Sequence, residues 1–199
     1  MPSSRQLDPW RKIVKKGTLV ASAIVETSTS KRNQTGEKDD SSTWTKKAGN
    51  DRHGKNIHIG VDEDSGLIHD AIAPPANVHD VTVVDELLHG DEEQMTGDSG
   101  YLGAENHSEK AKKIKRNIMK RRSSVKKMEP SQREFERRKQ QSIASKRTKV
   151  EHAFGIIKGR FAWRRERKWG LARFEAAMFM RAALANIYRL SRPPKPKKA

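Results

Sequence analysis

Two acids in this chain stand where their neighbours give them something to do. Asp98 lies in Gly97-Asp98-Ser99-Gly100-Tyr101, directly after a short run, residues 94–96, that reads as a strand. An acid at the exit of a central strand can face a ligand, because open α/β sheets bind at the carboxyl ends of their strands. The flanking glycines let a backbone or a phosphate come close. The competing reading is a turn aspartate that holds only its own loop. Glu151 lies between Arg147 and Lys158, four residues after the first and seven before the second. At about 100° per residue these three share one helical stripe. That stripe sits roughly 70° from the apolar one of Val150, Phe154, Ile157 and Phe161, so Glu151 should flank the buried seam rather than point straight to solvent. Read from the helix alone, Arg147 and Glu151 are an ordinary surface pair worth a few tenths of a kcal/mol.

The remaining titratable residues carry less. His79, in Asn77-Val78-His79-Asp80, and His152 have no fixed ligand spacing, which argues against zinc. His79 is expected to cap a helix or hold a loop, and Asp62, Asp64 and Asp70 read as turn and surface acids. The chain has no cysteine, so disulfides and thiolate metal sites are excluded.

Charge points to the partner. Lys and Arg outnumber Asp and Glu by 42 to 25, a formal net charge of +17. Such an excess calls for a polyanion, usually nucleic acid. The excess is concentrated in residues 110–127, where ten of the 18 are Lys or Arg and none is acidic. Lys112, Lys113, Lys115 and Arg116 are the candidate phosphate contacts there, and Arg147 and Lys158 would present cations beside Glu151. A basic surface could instead meet an anionic membrane, but no amphipathic helix with a Trp/Leu face is present. No apolar run approaches the roughly 18 residues of a membrane span, and residues 1–10 have no apolar core of a secretory signal. A soluble, cytoplasmic protein without a membrane partner is expected.

The elements that must position these residues follow from periodicity. Residues 19–25 are small and apolar, as in a buried strand. Residues 28–50 are polar and are expected to form a loop. Ile57, Ile59 and Val61 alternate, and a turn at Asp64-Ser65-Gly66 leads into a second strand that ends at Pro74 and Pro75. Asp80 is a plausible N-cap for a helix reaching about residue 89. A short strand is possible at 117–120. Residues 129–142 fit either a helix or a loop, and the clearest helix runs over about 145–161. A last helix, about 174–190, is apolar on most sides and should pack inside. This order suits an α/β domain with a mixed sheet whose first three strands are antiparallel.

Taken together, "GTLVASAIVETSTSKRN", "KNIHIGVDEDSGLIHDAIAPPANVHDVTVVDELLHG", "TGDSGYLG" and "KRTKVEHAFGIIKGRF" resemble consecutive motifs of bacterial insertion-sequence DDE transposases, over about residues 17–190. The resemblance implies an RNase H-like α/β fold with a mixed five-stranded sheet and flanking helices. It implies DNA strand cleavage and transfer, with DNA (transposon ends and target) and further copies of the chain as partners. In that family three acids hold two Mg²⁺ or Mn²⁺ ions. Asp98 matches the second acid, in an Asp-x-Gly-Tyr motif, and Glu151 matches the third, with Arg147 and Lys158 completing an Arg-Glu-Lys signature. The tyrosine that precedes the arginine in the family falls at Ala144. The first acid falls at Ala21: the family reads Val-Asp-Ala-Thr where this chain has Val20-Ala21-Ser22-Ala23.

Alanine cannot ligate a cation, so little or no strand transfer is expected of this chain. It also reads as truncated, with residues 1–16 an N-terminal remnant, 17–190 the catalytic domain and 191–199 a basic disordered tail. Two other functions compete: a basic DNA-binding protein without catalysis, and a metal-dependent nuclease. On the family reading, Ala21 and Asp98 belong on adjacent central strands with Glu151 on a helix facing them.

Overall fold

The computed structural model describes residues 16–28, 41–47, 49–167 and 170–192. The expectations for residues 1–15 and 193–199 lie outside that range.

The centre of the fold is β1 (Gly17–Thr27). Leu19 and Val20 face opposite sides and both are fully buried, the pattern of a strand covered on two faces. β3 (Asn50–Asp62) runs antiparallel to it, with Ala21 opposite Ile59 and Ser22 opposite His58. β5 (Gln94–Gly97) runs parallel on the other side, pairing Leu19 with Thr96. β6 (Lys115–Ile118) extends the sheet parallel to β5, two residues earlier than the periodicity suggests. β4 (Ile68–Ile72) folds back on β3 through the expected turn, where the Asp62 carboxylate accepts the Ser65 N–H and hydroxyl and Gly66 takes φ +70°. The expected mixed sheet is present, with seven strands among the described residues rather than five: β2 (Thr43–Lys47) pairs with β3, and the two-residue β7 (Arg165–Glu166) with β1. The main order, β2-β3-β1-β5-β6, with one antiparallel neighbour on one side of β1 and parallel strands on the other, is an RNase H-like arrangement.

β2 corrects the reading of residues 28–50 as a loop at residues 43–47; residues 29–40 lie outside the described residues. Polarity argued against burial, but an edge strand needs little of it; Thr43, Trp44 and Thr45 suit a strand, and the Trp44 ring stays exposed beside His53. The helix expected from Asp80 is also corrected. A 3₁₀ turn (Asp80–Val83) leads into a single α turn, α1 (Val84–Leu87), and the N-cap position falls to His79, whose side chain makes no capping bond.

One face of the sheet, with Leu19, Ala21, Val25, Ile57 and Ile59, packs on α4 (Pro130–Phe154) and α5 (Leu171–Leu190). The other, with Val20 and Met95, packs on α1, Tyr101 and α2 (Glu109–Lys113). α4 absorbs the undecided residues 129–142; Pro130 stands at its first turn, where a missing N–H costs nothing. α3 (Arg122–Lys126) is a short exposed turn before it. α4 passes into a π turn over Gly155–Arg160. α5 was expected to be buried on most sides. Only one face is: Phe174, Met178, Ala182 and Ala185 are covered, whereas Phe179, Met180, Leu184 and Ile187 are exposed. A helix laid on the outside of a single sheet has one neighbour to pack against. Among the described residues, no helix is long and apolar enough to cross a membrane.

Candidate active site

Strand register sets the first half of the site. Leu19 pairs with Thr96 across β1 and β5, so two residues further on Ala21 stands opposite Asp98, just past the end of β5. Side chains two apart on a strand share a face, and Ala21 belongs to the core cluster that contacts α4. Asp98 is held by its own loop. Its Oδ1 accepts the Gly100 N–H at 2.8 Å and caps the 3₁₀ turn Ser99–Tyr101. The turn reading of Asp98 is therefore correct as far as it goes, and its second oxygen does something else.

That oxygen meets α4. Val150, Ala153 and Phe154 bury one face of the helix against the sheet, and Arg147 and Glu151 flank that face. The Arg147 side chain is only 15% exposed, and its Nη2 lies 3.7 Å from Asp98 Oδ2 and 3.1 Å from Glu151 Oε1. Its Nη1 contacts the Met119 sulfur at 3.6 Å. One guanidinium thus joins the two acids. Glu151 itself is 62% exposed, at the open edge of the seam.

The other expected contacts divide. Lys158 does not sit on the Glu151 stripe facing solvent; its ammonium donates to the Ile24 carbonyl of β1 at 2.5 Å, after the π turn has changed the winding. Arg116 is turned back on its own segment, donating to the Ala111 and Ile114 carbonyls and lying 3.4 Å from Glu105, so it closes the C-terminal end of α2. Lys112 pairs with Glu109. Lys113 and Lys115 are exposed. His152 meets Arg189 of α5.

Sequence reading missed a polar group on the opposite face. Asp80 accepts from the Ser22 hydroxyl at 3.2 Å and lies 3.7 Å from His58 Nδ1, which is 3.4 Å from the Tyr101 hydroxyl. Burial pushes the Tyr101 hydroxyl well above its ordinary value, helped by the charges of Asp80 and Asp98 and opposed by Arg147. Gly100 separates the two aspartates: a Cβ there would fall 2.6 Å from Asp80 Oδ2 and 3.0 Å from Asp98 Oδ1, so a side chain would push the Asp80 carboxylate aside. A signal existed in the alternation of polar Asn56 and His58 with Ile57 and Ile59.

The donor set decides what could bind. Mg²⁺ takes carboxylate oxygens together with waters, and a two-ion phosphoryl-transfer site needs enough carboxylates to hold both ions. Here Ala21 offers a methyl group, and Arg147 already balances Asp98 and Glu151. Among the described residues no three His, Cys, Asp or Glu side chains group to hold a metal ion. The residues present do not fit a two-ion site.

No solved structure matches the chain. The family model described as the transposase DDE domain matches residues 22–187, from the residue after Ala21 to the last turns of α5. The chain belongs to the transposase DDE domain family.

Proposed function

We propose that the chain is the core of an insertion-sequence DDE transposase that binds DNA but carries out little or no strand transfer. The observation that carries this reading is the pairing at the site: Ala21 opposite Asp98, and Arg147 bridging Asp98 to Glu151. In the family a divalent metal ion, Mg²⁺ or Mn²⁺, neutralises charge on the reacting phosphate. Asp98 and Glu151 are the two carboxylates this chain would contribute, and Asp98 is preset by the Gly100 N–H. Arg147 keeps the pair together and lowers their mutual repulsion.

DNA is held on this reading by exposed cations, chiefly Lys113 and Lys115, with Lys112 at the same edge; such contacts fix position without reading sequence. Arg116 and Lys158, the other candidates, also donate to backbone carbonyls at α2 and β1. Active complexes of this kind would contain further copies of the chain.

A second reading, a basic DNA-binding protein without catalysis, is favoured by the same Ala21. The two differ in one experiment. The chain and Ala21→Asp are incubated with Mg²⁺ and labelled element-end DNA, and nicking and joining are measured. Cleavage that arises only with Ala21→Asp supports a transposase core lacking one ligand. Strong cleavage by the parent without strand joining would establish a metal-dependent nuclease and overturn the proposal.

A further inference from the structure

α5 is apolar on two opposite sides, and the fold covers one of them. Phe174, Met178, Ala182 and Ala185 pack on the sheet. Ala176, Met180, Ala183, Ile187 and Leu190 form a second stripe, spaced alternately four and three residues apart. At about 100° per residue it lies roughly 160° from the first, and its spacing is that of a seam along which helices pair. Every residue of this seam is exposed, as are Phe179 and Leu184 beside it. The polar residues of α5 turn toward the protein instead. Asn186 bonds the Ile68 N–H and carbonyl, Arg189 donates to the Ser65 carbonyl, and Arg181 lies over the Trp163 ring.

The occupant follows from charge, size and shape. In a chain with 42 Lys and Arg, the exposed residues from 174 to 190 are all apolar. A phosphate backbone would find no cation there, so the stripe is not a DNA surface. Two copies of the chain, each with a net charge of +17, repel one another and can meet closely only where no like charges are brought together; this stripe meets that condition. Its five large side chains are between 39% and 62% exposed. At about 200 Å² each they offer roughly 500 Å² per copy, or about 1,000 Å² for a pair, the lower bound of a specific interface. With two α5 helices antiparallel about a twofold axis at Ala183, methyl groups meet at the axis and Ala176 faces Leu190, small against large. A parallel pair would set Ala176 on Ala176 and Leu190 on Leu190, and would align the helix dipoles unfavourably.

We propose that α5 is the surface on which two copies of this chain pair, antiparallel about Ala183, in a reversible dimer. α5 lies over β4, whereas Lys113 and Lys115 stand at the β6 end of the sheet, so pairing leaves those cations of both copies uncovered. The dimer gives the further copies of the proposed function a surface to meet on, and it does not depend on DNA binding.

The test uses the full chain, freed of nucleic acid by nuclease, in sedimentation equilibrium. The mass should rise with concentration from one chain to two, with a dissociation constant on the order of 10 µM. Raising NaCl from about 0.1 to about 0.5 M should tighten the dimer by about threefold, because salt screens the repulsion and spares the apolar contact. Met180→Lys/Ile187→Lys, at two exposed positions, should weaken it by about tenfold or more with the melting temperature unchanged. The chain has no cysteine, so a single introduced thiol reports a single contact. Ala183→Cys should form a disulfide with its own copy under mild oxidation, since residues facing across the axis come within the Cα spacing of about 4.4–6.8 Å. Ala172→Cys, also exposed, would lie roughly 30 Å from its own copy and should not. A monomer up to about 100 µM at both salt concentrations overturns the proposal. So does a double variant that dimerises like the parent, or equal trapping at positions 172 and 183. Each of these results leaves the DNA reading standing.

Discussion

Placing aspartate at position 21 perturbs a site whose surroundings are known. Ala21 is 3% exposed and packs with Val150, Ala153 and Phe154 of α4. A carboxylate there enters apolar surroundings, with Asp98 opposite in register and Arg147 already shared between Asp98 and Glu151. An uncompensated buried charge costs about 3–5 kcal/mol, and the guanidinium offsets part of that. For a chain of this size 1 kcal/mol moves the melting temperature by roughly 2–4 °C. Ala21→Asp without metal should therefore melt about 5–12 °C below the parent. With Mg²⁺ the sign reverses: the third carboxylate completes a ligand set, and an ion at a hundred times its dissociation constant stabilises by about 2.7 kcal/mol, or roughly 5–10 °C. The parent, with two carboxylates held by Arg147, should gain under about 2 °C. The assay is a thermal melt of parent, Ala21→Asp and Ala21→Asp/Asp98→Asn across a MgCl₂ series, with calorimetric titration as the direct measure. Refutation is equally plain. If Ala21→Asp gains no more from Mg²⁺ than the parent, or if the double variant gains as much as Ala21→Asp, positions 21 and 98 do not share a metal site.

Three further outcomes are expected. DNA binding should be sequence-tolerant and fall steeply with salt, and Lys113→Gln/Lys115→Gln should reduce the slope of log K against log salt by about 1.8, read by titration at several NaCl concentrations. Ser108 caps α2 by accepting from Ala111 and donates to Asp85, so Ser108→Ala should lose about 1 kcal/mol in urea melts at pH 7; the Ser108 hydrogen bond, aided by Lys110 and opposed by desolvation, holds Asp85 below its ordinary value of 3.8, so the stability it lends is present above that pH and the gap between parent and variant narrows as the pH falls through the lowered value. Glu136, 7% exposed, is pushed up by desolvation but held below its ordinary value of 4.5 by Lys120 and Gln140, so Lys120→Met should cost about 1–2 kcal/mol at neutral pH and progressively less as acidification drops below 4.5.

What the sequence disclosed followed from which physical signals are local. Strand β1, the β3–β4 hairpin and the α4 stripe are written in side-chain periods of two and three to four, and those periods survive folding. Asp98 was legible because its glycines serve its own loop. The link between Asp98 and Glu151 was not legible from spacing, because Arg147 reaches both only after α4 has docked on β1 and β5. The backbone contacts of Lys158 and Arg116 were hidden for a related reason. A long cation looks free for phosphate in the sequence, yet each donates to backbone carbonyls, at Ile24 and at the end of α2. The polar group on the opposite face was missed because His58 and Asp80 lie on separate elements, and only strand register brings them to one face. α5 was misjudged because periodicity reports how much of a helix is apolar and not how much of it the fold has room to cover.

On the proposed function, the arrangement around position 21 is one in which a fold lacks a ligand and keeps its shape. Three carboxylates converging on one point repel one another and depend on cations to offset the repulsion. With alanine at 21 the point holds two acids and one guanidinium, and Arg147 lies within 3.7 Å of both. The methyl group meanwhile joins the apolar contacts that dock α4 on the sheet. On the proposed function, alanine at this position removes repulsion and adds burial, so the packing of the central strand needs no metal. The exposed cations of α2 and β6 are untouched by that change, since they sit at the far edge of the sheet beyond β5. On the proposed function, strand transfer and DNA binding are therefore separable in this chain, and the first can fail while the second persists.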